Sequence, residues 1–211
     1  MISEMIAYAA QDSERYITLI EQHIFIDIIA LAICIMISLP LGYWSAKKET
    51  VSNVIMAIAN LLMLIPSIAL FALLQPVFGI GNTPAIIGLI VFGIPPMVAN
   101  VRTGIKSVDA NIVENARGMG MENWRICLTM EFPLAIPTIL NGIRITTVSL
   151  IAGTTIATYV GAGGLGVYIK LGLNTNNTPV MCLGAATVAI MSIIVDFILA
   201  AIQKRQIKKI S

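Results

Sequence analysis

The residue pattern with the strongest claim to chemistry is Gly161-Ala162-Gly163-Gly164-Leu165-Gly166. It satisfies Gly-x-Gly-x-x-Gly, the backbone turn that cradles a dinucleotide pyrophosphate, which needs a strand before it and an acidic residue about 20 positions on. Here an apolar stretch of helical length precedes the glycines, and Ala185 and Ala186 stand near the acidic offset. The motif therefore reads as a tight turn that permits close backbone contact. No Gly-x-x-x-x-Gly-Lys-[Ser/Thr] loop occurs, so ATP would have to be bound by another polypeptide. The single histidine, His23, reads as a boundary residue, with no second histidine to serve a buried serine and no His-Glu-x-x-His. Cys34, Cys127 and Cys182 lack metal-ligand spacing and read as small apolar side chains. No cofactor and no redox chemistry are expected.

The elements that must position any site are set by composition. Apolar residues make up 57% of the 211 and charged residues 11%, whereas a soluble domain carries about 25% charged residues. A hydrocarbon core of roughly 30 Å needs about 20 apolar residues per helix. Stretches 23–46, 52–77, 84–105, 134–160 and 179–203 meet that requirement. No strand-like alternation is evident, and helices satisfy every backbone polar group internally. The fold class is an all-α integral membrane protein with about five transmembrane helices. Pro66, Pro95, Pro96, Pro133 and Pro137 fall where they would kink these helices.

Lys47, Lys48, Arg102, Lys106, Arg117, Arg125, Lys204, Arg205, Lys208 and Lys209 fall on one side of such a bundle, against Arg15 and Lys170 on the other. The excess of Lys and Arg marks the cytoplasmic side, which puts the N-terminus outside and the C-terminus inside. Residues 1–22 carry Glu4, Asp12, Glu14 and Glu21 and lack the basic start of a signal peptide. They are expected to form a short external helix or tail, residues 23–203 a transmembrane domain, and residues 204–211 a cytoplasmic tail. Arg144 and Asp196 stand at similar depths inside spans. Charges there are normally paired or turned to water, so the two are expected to meet as an ion pair. The competing outcome is that Arg144 snorkels to the headgroups while Asp196 faces a polar cleft.

One polar stretch, ENARGMGMENWRICLTMEFP over residues 114–133, interrupts the apolar chain on the Lys- and Arg-rich side. Asp109 or Asn111 can cap a helix that presents Glu114, Ala116, Arg117, Met121 and Trp124. Gly118 and Gly120 favour a turn or a close contact. Exposed Met and Trp suit the core of a protein interface; a helix lying in the headgroup zone is the alternative.

The spacing of Glu114, Ala116 and Gly120, followed by Met130-Glu131-Phe132-Pro133, resembles the EAA loop of permease subunits in binding-protein-dependent ABC importers. That motif runs Glu-Ala-Ala, three residues, Gly, nine residues, then Ile-x-Leu-Pro. Asn115, Met130 and Phe132 depart from it. Pro40-Leu41-Gly42, Ile65-Pro66-Ser67, Arg102-Thr103-Gly104-Ile105, Pro133-Leu134-Ala135-Ile136-Pro137, Gly142-Ile143-Arg144 and the glycine turn look like the osmoprotectant branch, and several are shared with methionine-importer permeases.

The resemblance implies a type I importer permease fold in a bacterial cytoplasmic membrane, with a coupling loop at about 106–133. Glu114, Ala116, Arg117, Gly118, Gly120, Met121 and Trp124 would contact the ATPase. The implied partners are cytoplasmic ATPase subunits, a second permease in a homo- or heterodimer, an external substrate-binding protein and the lipid bilayer; no nucleic acid is expected. The glycine turn would lie at the dimer axis or under the binding protein. The implied cargo is glycine betaine, carnitine or choline, with methionine or another small solute as the alternative. Ser67, Thr154, Thr155 and Thr158 are expected to line a path, or else to bond helix to helix. A secondary transporter would need coupling groups near the midplane and internal repeats. Only Arg144 and Asp196 read as deep charges, and a membrane enzyme would need a reactive constellation that the sequence lacks.

Overall fold

The structure, a computed structural model, describes the backbone of residues 1–210 and the side chains of residues 1–208. Of the expected tail, Ser211 and the side chains of Lys209 and Ile210 lie outside the described residues. Helix α1 (Ile2–Gln11) leads into α2 (Ser13–Lys47), which is followed by α3 (Glu49–Met63), α4 (Ser67–Phe78) and α5 (Asn82–Lys106). Short helices α6 (Ala110–Gly118) and α7 (Asn123–Ile126) precede a π-helical turn (Cys127–Glu131) and α8 (Phe132–Ala157). A 3₁₀ turn (Thr158–Val160), α9 (Gly166–Asn174) and α10 (Thr178–Ile210) complete the chain.

Four helical segments among the described residues are long and apolar enough to cross a membrane: Ser13–Lys47, Asn82–Lys106, Asn123–Val160 and Thr178–Lys208. Helices α3 and α4 reach that length and apolarity only together, and they bend by 96° at their junction, as a broken span or a re-entrant loop does. Proline at position 66 was expected to kink this span, but the finding is a full break. Leu64 and Ile65 donate to Leu61 and Leu62 in tightened last turns, and Pro66 is extended (φ −59°, ψ 131°) before α4 restarts. Proline cannot supply the next helical N–H and disfavours helical backbone in the residue before it. Pro40, Pro95, Pro96 and Pro137, by contrast, sit inside continuous helices.

Within the segment 1–22, helix α2 already begins at Ser13, and Tyr16 and Leu19 pack with Tyr168 and Val180 of α9 and α10. The main core lies where α2, α5 and α8 meet. Ile26, Ala30, Phe71, Leu89 and Leu150 fill one end, and Met97, Val101, Ala135 and Ile139 the other. Close helix approach depends on small residues: a Cβ on Gly42 would lie 2.5 Å from Val101, and one on Gly142 2.5 Å from Asn100. Cys34 is buried among these helices, as its reading as an apolar side chain requires.

The glycine turn closes against its own chain. Gly161 (φ 86°) and Gly164 (φ 100°) adopt backbone that other residues rarely take. Gly163 N–H donates to Asn82 (3.1 Å), Gly164 N–H to Gln22 (3.3 Å) and Leu165 N–H to His23 Nδ1 (3.2 Å). With Nδ1 accepting, the opposite ring nitrogen donates to the Ile151 carbonyl at 3.0 Å. His23 is thus fully buried, and it ties α2 to both α8 and the turn.

Candidate functional site

The polar segment after α5 folds into a surface feature with few internal anchors. Asp109 caps α6, its carboxylate accepting from Asn111 N–H at 2.9 Å, and Ala116 is the helix's one buried residue. The helix ends in a paired closure: Gly120 N–H donates to the Arg117 carbonyl and Met121 N–H to that of Ala116, at 2.9 and 3.1 Å. Gly120 supplies the left-handed residue this closure needs (φ 79°). Glu114, Arg117 and Gly118 are exposed, and Met121 is half-buried. Met119 and Trp124 remain 73% and 58% exposed. The Trp124 ring is nonetheless held: its indole N–H donates to Glu122, and the Arg125 guanidinium lies 5.3 Å from its centre.

The segment is fastened to the bundle by Glu131, which sequence reasoning quoted only as part of a motif. Glu131 is buried, pairs with the Lys47 ammonium at the end of α2, and accepts from the Tyr43 hydroxyl at 3.2 Å. Tyr43 stacks on Phe132 (5.8 Å, 17°). The π-helical turn carries Glu131 inward just ahead of Pro133, whose ring removes the donor that the fourth carbonyl back would take. The Thr129 hydroxyl takes up the Arg125 carbonyl at 2.7 Å within that widened turn. A cavity of about 270 Å³ between the segment and α2 is lined by Tyr43, Lys47, Val113, Arg117 and Glu131. At the same end, Arg102 of α5 donates to Ser52 of α3 (2.7 Å), and Ser45 of α2 donates to that hydroxyl at 3.1 Å.

Within the spans, the four hydroxyl residues expected to line one path are not brought together. Ser67, at the start of α4, lines a cavity of about 450 Å³ with Met63, Phe92, Pro96, Ser149 and Ile156. Thr154 points into the subunit and donates to Asp27 at 2.5 Å, while Thr155 and Thr158 donate to carbonyls of their own helical turns. The competing reading, helix-to-helix bonding, fits Thr154. Ser149 was missed, although it stands on the exposed face of α8.

Asp27 is a deep acidic group besides Arg144 and Asp196, the only deep charges that the sequence suggests. It is 6% exposed, with one oxygen on Thr154 and the other 3.5 Å from His23. Its position four residues after His23 on one helix face was the available signal.

Arg144 and Asp196 do meet. The guanidinium of α8 engages both oxygens of the α10 carboxylate in a two-pronged contact, with Nη2 2.7 Å from Oδ2. Each side chain is 34% exposed, and the pair lines a cavity of about 420 Å³ with Asn141 and Ser149. Asn141 extends this polar patch by donating to Asn100 at 3.2 Å. No group of His, Cys, Asp and Glu among the described residues is arranged to hold a metal ion.

Residues 38–211 match the model of a family described as binding-protein-dependent transport system inner membrane component. The chain is similar to the glycine betaine/carnitine/choline transport system permease protein OpuCB of Bacillus subtilis (strain 168), at 36% identity over 87% of this chain and 85% of that protein. It is likewise similar to the osmoprotectant import permease protein OsmW of Salmonella typhimurium (strain LT2), at 32% identity over 95% of each. Among solved structures, an inward-facing conformation of the MetNI methionine ABC transporter superposes with a TM-score of 0.84. It covers 90% of this chain and 95% of that one at 22% identity, a likeness of fold.

Proposed function

Since the chain belongs to the family of binding-protein-dependent transport system inner membrane components, we propose that it is the membrane-spanning subunit of an ATP-driven importer for a quaternary-ammonium solute such as glycine betaine, carnitine or choline. The names of the relatives that align over nearly the whole chain support that cargo. The likeness to the methionine transporter carries the fold and not the substrate.

The chain works without an ATPase site of its own, in a dimer with a copy of itself or a related permease. Two cytoplasmic ATPase subunits and an external binding protein complete the assembly. The Lys- and Arg-rich end, with Lys47, Lys106 and Arg125, faces the bacterial cytoplasm. The N-terminus and the glycine turn face outward.

The observation that carries this reading is the 110–131 surface feature, which exposes Met119 and Trp124 yet is bonded to α2 through buried Glu131. An exposed, rigidly held aromatic beside a charged rim is what a partner's cleft takes up. Glu114, Ala116, Arg117, Gly118, Gly120, Met121 and Trp124 make the contact, with Ala116 seating the helix and the others facing the ATPase. ATP binding draws the two ATPase subunits together and moves the docked helices. The bundle then opens beneath a loaded binding protein, and hydrolysis returns it to face inward. Selectivity rests with the binding protein, and the membrane cavity beside Ser67 offers a low-affinity route. The test is joint purification in mild detergent followed by reconstitution. An ATPase that stays bound to the chain, and solute uptake that needs ATP and the binding protein, support the reading. Uptake by the chain alone refutes it.

A further inference from the structure

Arg144 and Asp196 present opposite charges side by side within the spans, and they do so at a cavity wall rather than inside the core. Each is 34% exposed, whereas the carboxylate of Asp27 in α2 is 6% exposed and bonded to Thr154. The pair lines about 420 Å³ of space with Asn141, Val148 and Ser149, a size within the range of small-molecule sites. The cavity is not isolated: Ile145 and Ser149 also line the space of about 450 Å³ that contains Ser67 and Phe92. The exposed face of α8 therefore links a hydroxyl-bearing, aromatic-walled chamber, nearer the glycine turn, to a paired guanidinium and carboxylate deeper in.

We propose that the Arg144–Asp196 pair is a weak binding station for a quaternary-ammonium solute, with the guanidinium taking the solute's carboxylate and Asp196 facing its cationic end. The inference rests on the reading of the chain as an importer subunit for such solutes, and it adds the residues that meet the cargo. A solute carrying both a carboxylate and a quaternary nitrogen is the charge complement of the pair. Arginine offers its planar fork to a carboxylate, while a quaternary nitrogen has no N–H and is held at Asp196 by charge; Phe92 offers an aromatic face in the adjoining space. When the solute is absent the two side chains neutralise each other, so the empty path holds no lone charge. When it enters, one ion pair is exchanged for two. The near balance of that exchange keeps the station weak, as a conducting site must be for the solute to leave.

The test uses the assembled transporter, with its ATPase and binding protein, in liposomes, and compares uptake of glycine betaine with that of choline, which lacks the carboxylate. The ratio of the two within one preparation is independent of how much protein folds. Arg144→Gln is expected to lower glycine betaine uptake about tenfold relative to choline, the factor that corresponds to loss of one charged contact. Asp196→Asn is expected to lower both. The double variant Arg144→Gln with Asp196→Asn keeps an amide hydrogen bond between the helices and is expected to assemble but lose uptake of both solutes. Wild-type uptake by the double variant, or an Arg144→Gln variant that lowers both solutes in equal proportion, would overturn the station and leave the importer reading intact. Failure of the wild-type assembly to take up either solute would overturn both.

Discussion

Glu131, buried in the π-helical turn, meets the ammonium of Lys47 at the last residue of α2. The contact joins the surface feature that follows α5 to the first spanning helix, two parts of the chain that are 84 residues apart. Glu131 is 3% exposed in its side chain and Lys47 32%, so the carboxylate has exchanged water almost wholly for this cation and the Tyr43 hydroxyl.

Removing the cation is therefore the harsher change. Lys47→Met strands a buried carboxylate and is expected to cost about 3 kcal/mol, the lower part of the range for breaking a buried pair. Adding Glu131→Gln to it should recover most of that loss. The midpoint of thermal unfolding in detergent, measured for both singles and the double, checks the coupling. Equal midpoints for Lys47→Met and wild type would contradict it.

Gly120 closes α6 in left-handed backbone, and an added Cβ would meet nothing within 4 Å. Substitution there is opposed by conformation alone, at about 1–2 kcal/mol. Gly120→Val should release the ATPase or uncouple it while the spans stay folded. Gly120→Asn should be milder, since asparagine visits this region more readily. Co-purified ATPase per permease, with ATPase stimulation by loaded binding protein, is the measurement. Valine that binds and couples as well as glycine would remove the closure from the docking account.

The cavity assignment separates Ser67 from the threonines. A cysteine at Ser67 should react with a small water-soluble thiol reagent, at a rate that changes when ATP is trapped. One at Thr154 should stay inert in every state. The reverse order of reactivity would place the aqueous route on the other side of α8.

Thr154 is the donor on which buried Asp27 depends. Thr154→Val keeps the side chain's shape but leaves that oxygen without its partner, and is expected to cost about 1–3 kcal/mol. Thr154→Ser should retain most of the stability. Unfolding midpoints for the two variants decide; a valine variant as stable as wild type would show that Asp27 has another partner.

The spanning helices and the charged end of the bundle were legible because each is written many times over: long apolar runs, and Lys or Arg repeated at one end. The Arg144–Asp196 contact was legible for a related reason, since two opposite charges at one depth have few other ways to be satisfied. Asp27 was not, because an average over residues 23–46 submerges one carboxylate among apolar neighbours. The surroundings of the threonines were hidden for another reason. A helix that is apolar all round gives no periodic signal of which face looks inward, so Thr154 and Ser149 cannot be assigned from spacing alone. The π-helical turn was equally hidden. Pro133 marks where a helix can start, but not that the turn before it widens to carry Glu131 inward.

The break at Pro66 turns two collinear half-spans into something closer to a bell crank. With 96° between them, a push along the axis of α3 arrives at α4 as a sideways sweep rather than a piston stroke. Only Lys48 separates α2 from α3, and Lys47 is the residue that grips Glu131. The 110–131 feature is thus bonded two residues away from the near arm, while the far arm begins with Ser67 at the chamber wall.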